Sequence, residues 1–220
     1  MGTDREAPPT RRRESVAEKR ARKAEIDDPA VVLDAGLRFL EARARSVAEV
    51  RRRLTQAGYR EELVTGAIER LADLGMLDDE AFAAAWVESR DRAHPRGEHA
   101  LMLELRQKGI DATVIAATLR ARREGATRWE QVSAGDDDDE AIPARSADAS
   151  AARKLLERHA RALERVPDPR TRRHKAYGLL ARNGFSPDVA SDLAREVAER
   201  MSALSQPRLD SPDEDSAVDP

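Results

Sequence analysis

The chain has 220 residues, of which 37% are charged and only 3% aromatic, and it contains no cysteine. So little aromatic material limits the size of any single core, and the lack of cysteine excludes a disulfide framework, a zinc-thiolate site and a thiol nucleophile. Alanine, arginine, leucine and glutamate dominate, and no run of alternating β-branched residues indicates a strand. We therefore expect an all-α protein.

No apolar run approaches the roughly 18 to 20 residues that a membrane span requires, and the polar N-terminus lacks the apolar core of a secretory signal. We expect a cytoplasmic protein with no membrane partner.

The net charge of -3 is unevenly distributed along the chain. Residues 124–148 carry 8 acidic and 2 basic side chains, and residues 202–220 carry 5 acidic and 1 basic side chain. Both segments are poor in large apolar residues, which predicts a disordered acidic insertion and a disordered acidic tail. Residues 1–29 are mixed in sign and are predicted to form a flexible charged arm.

Ordered structure is predicted to begin near Pro29, which suits the first turn of a helix capped by Asp27 or Asp28. The apolar face of this first helix is predicted from its spacing to contain Leu33, Leu37, Leu40 and Ala44.

The second helix is predicted to start at a capping box, in which Ser46 and Glu49 satisfy each other's free backbone amides. Its apolar face contains Val50 and Leu54, and it stops at Gly58. The third helix, from about residue 61 to 73, points Val64, Ile68 and Leu71 inward.

A tight joint between helices follows at Gly75, which can adopt the left-handed conformation that ends a helix. Met76 and Leu77 are predicted to fold back as apolar contacts, and Asp78 or Asp79 to cap the next helix. That helix places Phe82 and Trp86 on one face, which predicts a buried aromatic stripe.

The same pattern recurs twice further along the chain. In each case a leucine lies four residues before a glycine that a bulky apolar residue follows: Leu54 with Gly58, Leu105 with Gly109, and Leu180 with Gly184. The second repeat also has a break at residues 94–97 and a short helix capped by Asp111, and the third has a first helix marked by Leu155, Leu156 and Leu163 and a last helix capped by Ser186. We predict three tandem three-helix repeats, residues 30–76, 77–123 and 149–201, stacked into an elongated and curved body.

Several stretches of this sequence resemble the sequence motifs of the RecX regulatory proteins, which modulate the bacterial recombinase RecA. They are Leu77-Asp78-Asp79, Phe82-Ala83 and Arg90, the stretch from Glu104 to Ile110, and the stretch from Arg45 to Leu54 with Gly58-Tyr59. The resemblance covers residues 30–123 well and residues 150–200 by repeat pattern.

The resemblance implies a protein without catalytic activity that binds the RecA filament on single-stranded DNA, along its helical groove. We expect no cofactor, and the broad face of the stacked repeats suits a long or periodic partner better than a small-molecule substrate. Bound there, such a protein would dampen strand exchange, ATP turnover and the filament's support of LexA self-cleavage in DNA repair and the SOS response.

Basic side chains recur beside each middle helix and form the predicted partner-binding set. Guanidinium groups bind carboxylates and phosphates with forked hydrogen bonds, so such a row suits an acidic protein groove or a nucleic acid. The set is Arg51, Arg52, Arg53, Arg90, Arg96, Arg106, Lys108, Arg170, Arg172, Arg173 and Lys175. Solvated helix faces are the other interpretation, and Arg90 could equally pair with a carboxylate at the repeat joint.

Enzymatic motifs are missing from the sequence, including a phosphate-binding glycine loop, Gly-x-Ser-x-Gly and His-Glu-x-x-His. His94 and His99 flank a turn and are interpreted as surface residues rather than metal ligands, whereas the spacing of His159 predicts partial burial. The acidic run at 136–140 lacks the ligand spacing of a calcium loop. The rival functions are a stand-alone nucleic-acid-binding helical module and a plain scaffold.

Overall fold

The computed structural model describes residues 14–133 and 147–204, and every regular element in these two ranges is a helix. The all-α prediction is confirmed. The predicted acidic insertion lies partly, and the acidic tail almost wholly, outside the described residues. The helices are α1 (Val16–Ala24), α2 (Pro29–Leu40), α3 (Val47–Ala57), α4 (Glu61–Asp73), α5 (Asp79–Ala93), α6 (Glu98–Gln107), α7 (Ala112–Ser133), α8 (Ala147–Arg158), α9 (Ala160–Glu164), α10 (Pro169–Arg182) and α11 (Pro187–Leu204).

The chain divides into two compact units. The first unit comprises residues 1–85 and 105–116, and the second comprises residues 86–104 and 117–220. In the first unit, α2 packs on α3 and α4. Its core is formed by Val32, Val50, Leu54, Tyr59, Val64, Ala67, Ile68, Leu71 and Leu77.

In the second unit, α11 packs on α10 and α8, and α9 packs against α10. Alanine and leucine dominate its core, which lets these helices approach closely. The core residues are Ala151, Ala152, Leu155, Leu156, Leu163, Ala176, Leu180, Phe185, Ala190, Leu193, Ala194, Val197 and Met201.

All three middle helices, α3, α6 and α10, end in the same way. The glycine that follows the helix has a positive φ, 104° at Gly58, 77° at Gly109 and 81° at Gly184. The N–H of the next residue then donates to the leucine carbonyl five positions earlier, with N···O distances of 3.4, 3.1 and 3.3 Å. Leu54, Leu105 and Leu180 are at most 2% exposed. The three leucines therefore occupy equivalent environments, as the repeat pattern predicts.

The predicted caps are confirmed, including those at Asp28, Asp111 and Ser186, and the joint at Gly75 shows one difference. The Ser46–Glu49 capping box is present, and the carboxylate of Asp78 accepts from the N–H of Ala81 at 2.9 Å. Leu77 is buried as predicted, but the prediction for Met76 is wrong, because its side chain is 57% exposed.

The N-terminal arm differs from its prediction, because order begins before Pro29. A capping box between Ser15 and Glu18 starts α1, and none of the residues of α1 is buried. In α2 the predicted residues Leu33, Leu37 and Leu40 are half-buried and pack against the core, whereas Val32 and Gly36 are the fully buried positions. Ala44 lies beyond the end of the helix.

Later elements also depart from their predicted bounds. The helix capped by Asp111 is longer than expected, since α7 continues to Ser133 into the predicted insertion. The first helix of the third repeat is broken at His159, between α8 and α9. The prediction that His159 is partly buried is wrong: the residue is exposed, and its Nδ1 lies 2.9 Å from the carbonyl oxygen of Leu155.

Candidate partner-binding surface

The basic residues predicted from the sequence fall into two classes in the structure. One class is bound to groups of the same chain and holds the fold together. The other is exposed and has no hydrogen bond or ion pair to a described residue. Only the second class can offer its full hydrogen-bonding capacity to a partner.

Arg90 and Arg96 belong to the structural class. The Nε of Arg90 donates to Glu104 at 2.7 Å, and its guanidinium lies 4.5 Å from the ring centroid of Trp86. The indole N–H of Trp86 donates to the same carboxylate at 2.8 Å, so Trp86 is only half-buried and not part of a fully buried stripe. Arg96 donates to the side-chain oxygen of Asn183 at 2.6 Å. These contacts within the chain account for the positions of both arginines, and no external partner is needed to explain them.

Lys108 also belongs to the structural class. Its ammonium group lies 2.9 Å from the carboxylate of Glu49, which Arg43 contacts at 3.2 Å. Burial of the Glu49 carboxyl acts to raise its pKa, but the hydrogen bond and charge of Lys108, with help from Arg43, outweigh burial and lower the pKa. Lys108 therefore holds a nearly buried charge in place.

Arg172 contradicts the expectation of an exposed side chain. It is 4% exposed, and its guanidinium donates to the carbonyl oxygen of Val166 at 2.8 and 3.1 Å. The cause is helical spacing, because Arg172 lies on the same face of α10 as the core residues Ala176 and Leu180. It is therefore removed from the candidate surface.

In the first unit, three of the predicted residues are exposed without a hydrogen bond or ion pair to a described residue: Arg52 and Arg53 on α3, and Arg106 near the end of α6. Arg51 is engaged, since it lies 2.5 Å from Glu61 and donates to Thr65 at 3.1 Å. Arg53 lies 5.7 Å from the ring centroid of Phe39.

The second unit carries a basic groove on α10. Arg170, Arg173, His174 and Tyr177 line it from one helix face, because their spacing of three, four and seven residues brings them to the same side. Ser191 of α11 closes the opposite wall. We call these five residues the α10 groove. Lys175 is exposed on the same helix.

The guanidinium groups of Arg170 and Arg173 form no hydrogen bond with a described residue, and α10 has no acidic residue in its first turn. Positive side chains near a helix N-terminus are unfavourable, because the backbone dipole is already positive there. Asp168, the N-cap of α10, offsets this, because the hydrogen bonds from Thr171, together with the charge of Arg170, lower the pKa of its carboxyl and favour the ionised form. The α10 groove thus presents two exposed guanidinium groups that form no hydrogen bond with a described residue.

Chemically, the groove can hold a chain of phosphates or a row of carboxylates. Two guanidinium groups supply forked donors, and the Ser191 hydroxyl can add another. Tyr177 is half-buried and offers an aromatic ring beside the arginines. Sequence reasoning found both arginines but missed His174, Tyr177 and Ser191, although the helical spacing from Arg170 to Tyr177 was a usable signal.

A buried arginine was also missed. Arg122 of α7 lies 2.9 Å from Asp91 and 2.6 Å from Asp148, and its side chain is 6% exposed. Burial acts to lower the pKa of Arg122, but its two carboxylate partners outweigh burial and raise the pKa. Its role is structural, because both carboxylates belong to the same unit.

Among the residues that the structure describes, no three or more His, Asp or Glu side chains are arranged to hold a metal ion. His94 and His99 are both exposed. Within the same described ranges, no helix is long and apolar enough to cross a membrane.

Three family models match the chain in order. They describe the first, second and third three-helix domains of RecX, and they match residues 33–71, 78–119 and 147–194. The prediction of three three-helix repeats is confirmed.

Curated relatives bear the same family name. "Regulatory protein RecX" of Mycobacterium sp. (strain KMS) is 38% identical over 157 residues, which cover 71% of this chain and 76% of the relative. "Regulatory protein RecX" of Corynebacterium efficiens is 31% identical over 194 residues, which cover 86% of this chain and 80% of the relative.

Solved structures support the same fold. The crystal structure of RecX from Lactobacillus salivarius matches with a TM-score of 0.57 at 21% identity, covering 78% of this chain and 97% of that chain. A second crystal structure, of "regulatory protein RecX", matches with a TM-score of 0.56 at 22% identity, covering 82% of this chain and 73% of that chain. With its three matching domains and its close relatives, the chain belongs to the RecX family of regulatory proteins.

Proposed function

We propose that this protein binds the RecA filament on single-stranded DNA and limits the recombinase, ATPase and co-protease activities of RecA. It would act in the cytoplasm, where such filaments form during DNA repair and the SOS response. Family membership supports a regulatory role, and the name RecX directs the proposal to RecA.

The observation that carries the proposal is the α10 groove. Its two guanidinium groups are exposed and form no hydrogen bond with a described residue, in contrast to Arg90, Arg96 and Arg122, which the same unit uses for its own stability. Exposed guanidinium groups without a hydrogen bond in the chain are available to bind an external anion with forked hydrogen bonds. An acidic protein surface or the phosphates of bound DNA would supply that anion.

A stand-alone nucleic-acid-binding module is the second candidate, and Tyr177 favours it. Proteins that bind single strands combine basic side chains, which follow the phosphates, with aromatic rings on which bases stack. The α10 groove contains both features.

One binding experiment distinguishes the two candidate functions. A labelled oligonucleotide is titrated with this protein, first bare and then coated with RecA in the presence of a slowly hydrolysed ATP analogue, at about 50 and 200 mM salt. A filament ligand prefers the coated oligonucleotide at both salt concentrations. Equal or tighter binding to bare DNA that weakens steeply with salt would instead favour the nucleic-acid module.

A further inference from the structure

The αL glycine after each middle helix lies in close contact with another helix. A Cβ atom built on Gly109 would lie 2.4 Å from the Cβ of Ala48, which is the second residue of α3. A Cβ built on Gly184 would lie 2.5 Å from the Cβ of Ala100, the third residue of α6. Each of these two glycines therefore packs against the first turn of the middle helix of the preceding repeat.

A hydrogen bond accompanies each of these contacts. At Gly109, the hydroxyl of Ser46 donates to the carbonyl oxygen of Lys108 at 2.6 Å. At Gly184, the N–H of Gly97 donates to the carbonyl oxygen of Asn183 at 2.9 Å. In both places the residue before the helix start binds the carbonyl just before the glycine. This is a repeated stacking contact.

Gly58 ends the middle helix of the first matched repeat, and its nearest neighbour is not a middle helix. Instead, a Cβ built on it would lie 2.7 Å from the carbonyl oxygen and 2.8 Å from the Cα of Arg20, in α1. Further contacts hold this segment in place, among them the packing of Ile26, just after α1, against the core of the first unit. The ammonium group of Lys23 lies 4.7 Å from the ring centroid of Tyr59, and Arg60 forms an ion pair with Asp27.

We propose that α1 is the N-terminal cap of the repeat array, and that the end of α3 is a helix-docking surface with α1 as its occupant. Helical repeats bury their faces against their neighbours. In each later repeat the end of the middle helix is covered by the preceding repeat, whereas in the first repeat of an array the same surface would be exposed. α1 covers that surface by placing its backbone on Gly58. It has no buried residue of its own, so its docking depends on this contact and on those of Lys23, Ile26 and Asp27.

The test uses two glycines with different surroundings. Gly58→Ala places a methyl group against the backbone of Arg20, whereas Gly75→Ala is the matched control, because Gly75 also has a positive φ, 68°, but nothing within 4 Å of an added Cβ. Each substitution is made in the full-length chain and in a full-length Ala21→Pro variant, in which proline breaks α1.

The proposal predicts that Gly58→Ala lowers the Tm by about 2–4 °C more than Gly75→Ala in the full chain. In the Ala21→Pro chain, where α1 is not docked, the two substitutions have equal effects. Hydrogen exchange supplies the second readout: the amides of residues 16–24 lose protection in Gly58→Ala and keep it in Gly75→Ala.

Three results would overturn the proposal. One is an equal Tm loss for the two glycine variants in the full chain, together with unchanged protection of residues 16–24. Another is an excess cost of Gly58→Ala that persists when α1 is broken. The third is global unfolding of Ala21→Pro, because a cap that contacts only the end of α3 leaves the rest of the protein folded.

Discussion

The hydroxyl of Ser46 donates a 2.6 Å hydrogen bond to the carbonyl oxygen of Lys108, 62 residues further along the chain. The same hydroxyl accepts from the N–H of Glu49 and so caps the start of α3. The fully buried side chain of Ser46 thus caps the start of α3 in the first repeat and binds the backbone just after α6 in the second.

Replacing Ser46 with alanine removes the cap and leaves the Lys108 carbonyl without this donor. We expect a loss of about 2–3 kcal/mol in the free energy of unfolding, measured by urea denaturation. Ser15→Ala is the matched control, because Ser15 forms the same capping box in α1 but is exposed. Its loss should be less than about 1 kcal/mol. Equal losses would show that the bond to Lys108 contributes nothing.

Lys108→Met should change the dependence of stability on pH. The folded state holds the pKa of Glu49 below its ordinary value, so the unfolded chain binds more protons than the folded chain as the pH falls through that range. The stabilisation by Glu49 is therefore present at neutral pH and is lost in acid. Without Lys108 the pKa of Glu49 rises, so the variant is less stable at pH 7 and loses less stability on acidification.

Urea denaturation between about pH 3 and pH 7 checks this expectation. Lys175→Met serves as the control, because Lys175 is exposed and has no ion pair with a described residue. A pH profile for Lys108→Met that parallels the wild type would contradict the assignment of Lys108 as the main partner of Glu49.

Arg122→Met should destabilise the second unit strongly. The substitution leaves Asp91 and Asp148 without their shared partner, and the breaking of a buried ion pair typically costs about 3–5 kcal/mol. Arg123→Met is the control on the same helix, because Arg123 is half exposed and pairs with Glu98 near the surface. Its effect should stay below about 1 kcal/mol. Similar losses for both variants would argue against a structural role for Arg122.

The repeat pattern could be predicted because its signals are local. Leu54, Leu105 and Leu180 each precede their glycine by four residues, and a glycine with positive φ followed by a bulky apolar residue closes a helix in the same way wherever it occurs. The burial of Arg172 was also readable in principle, since it lies four and eight residues before Ala176 and Leu180.

Other features depend on contacts that the sequence does not display. Asp91 and Asp148 lie 31 and 26 residues from Arg122, so nothing local marks them as its partners. The helix α1 has no buried face, so its sequence has no apolar periodicity from which its contact with the end of α3 could be predicted. Its position depends on the space that Gly58 leaves open.

The most direct test of the proposed function measures RecA ATP turnover on single-stranded DNA as this protein is added. The wild type is compared with two triple variants. The α10 reversal changes the basic side chains on α10 (Arg170→Glu, Arg173→Glu and Lys175→Glu). The matched reversal changes exposed basic side chains elsewhere in the second unit (Lys154→Glu, Arg161→Glu and Arg165→Glu). Both reversals change the net charge equally, and circular dichroism checks that all three proteins are folded. We expect the wild type and the matched reversal to inhibit turnover, and the α10 reversal to need at least about tenfold more protein for the same inhibition, the equivalent of 1.4 kcal/mol in binding. Equal inhibition by all three proteins would contradict the assignment of the α10 groove, and no inhibition by the wild type would contradict the proposed function itself.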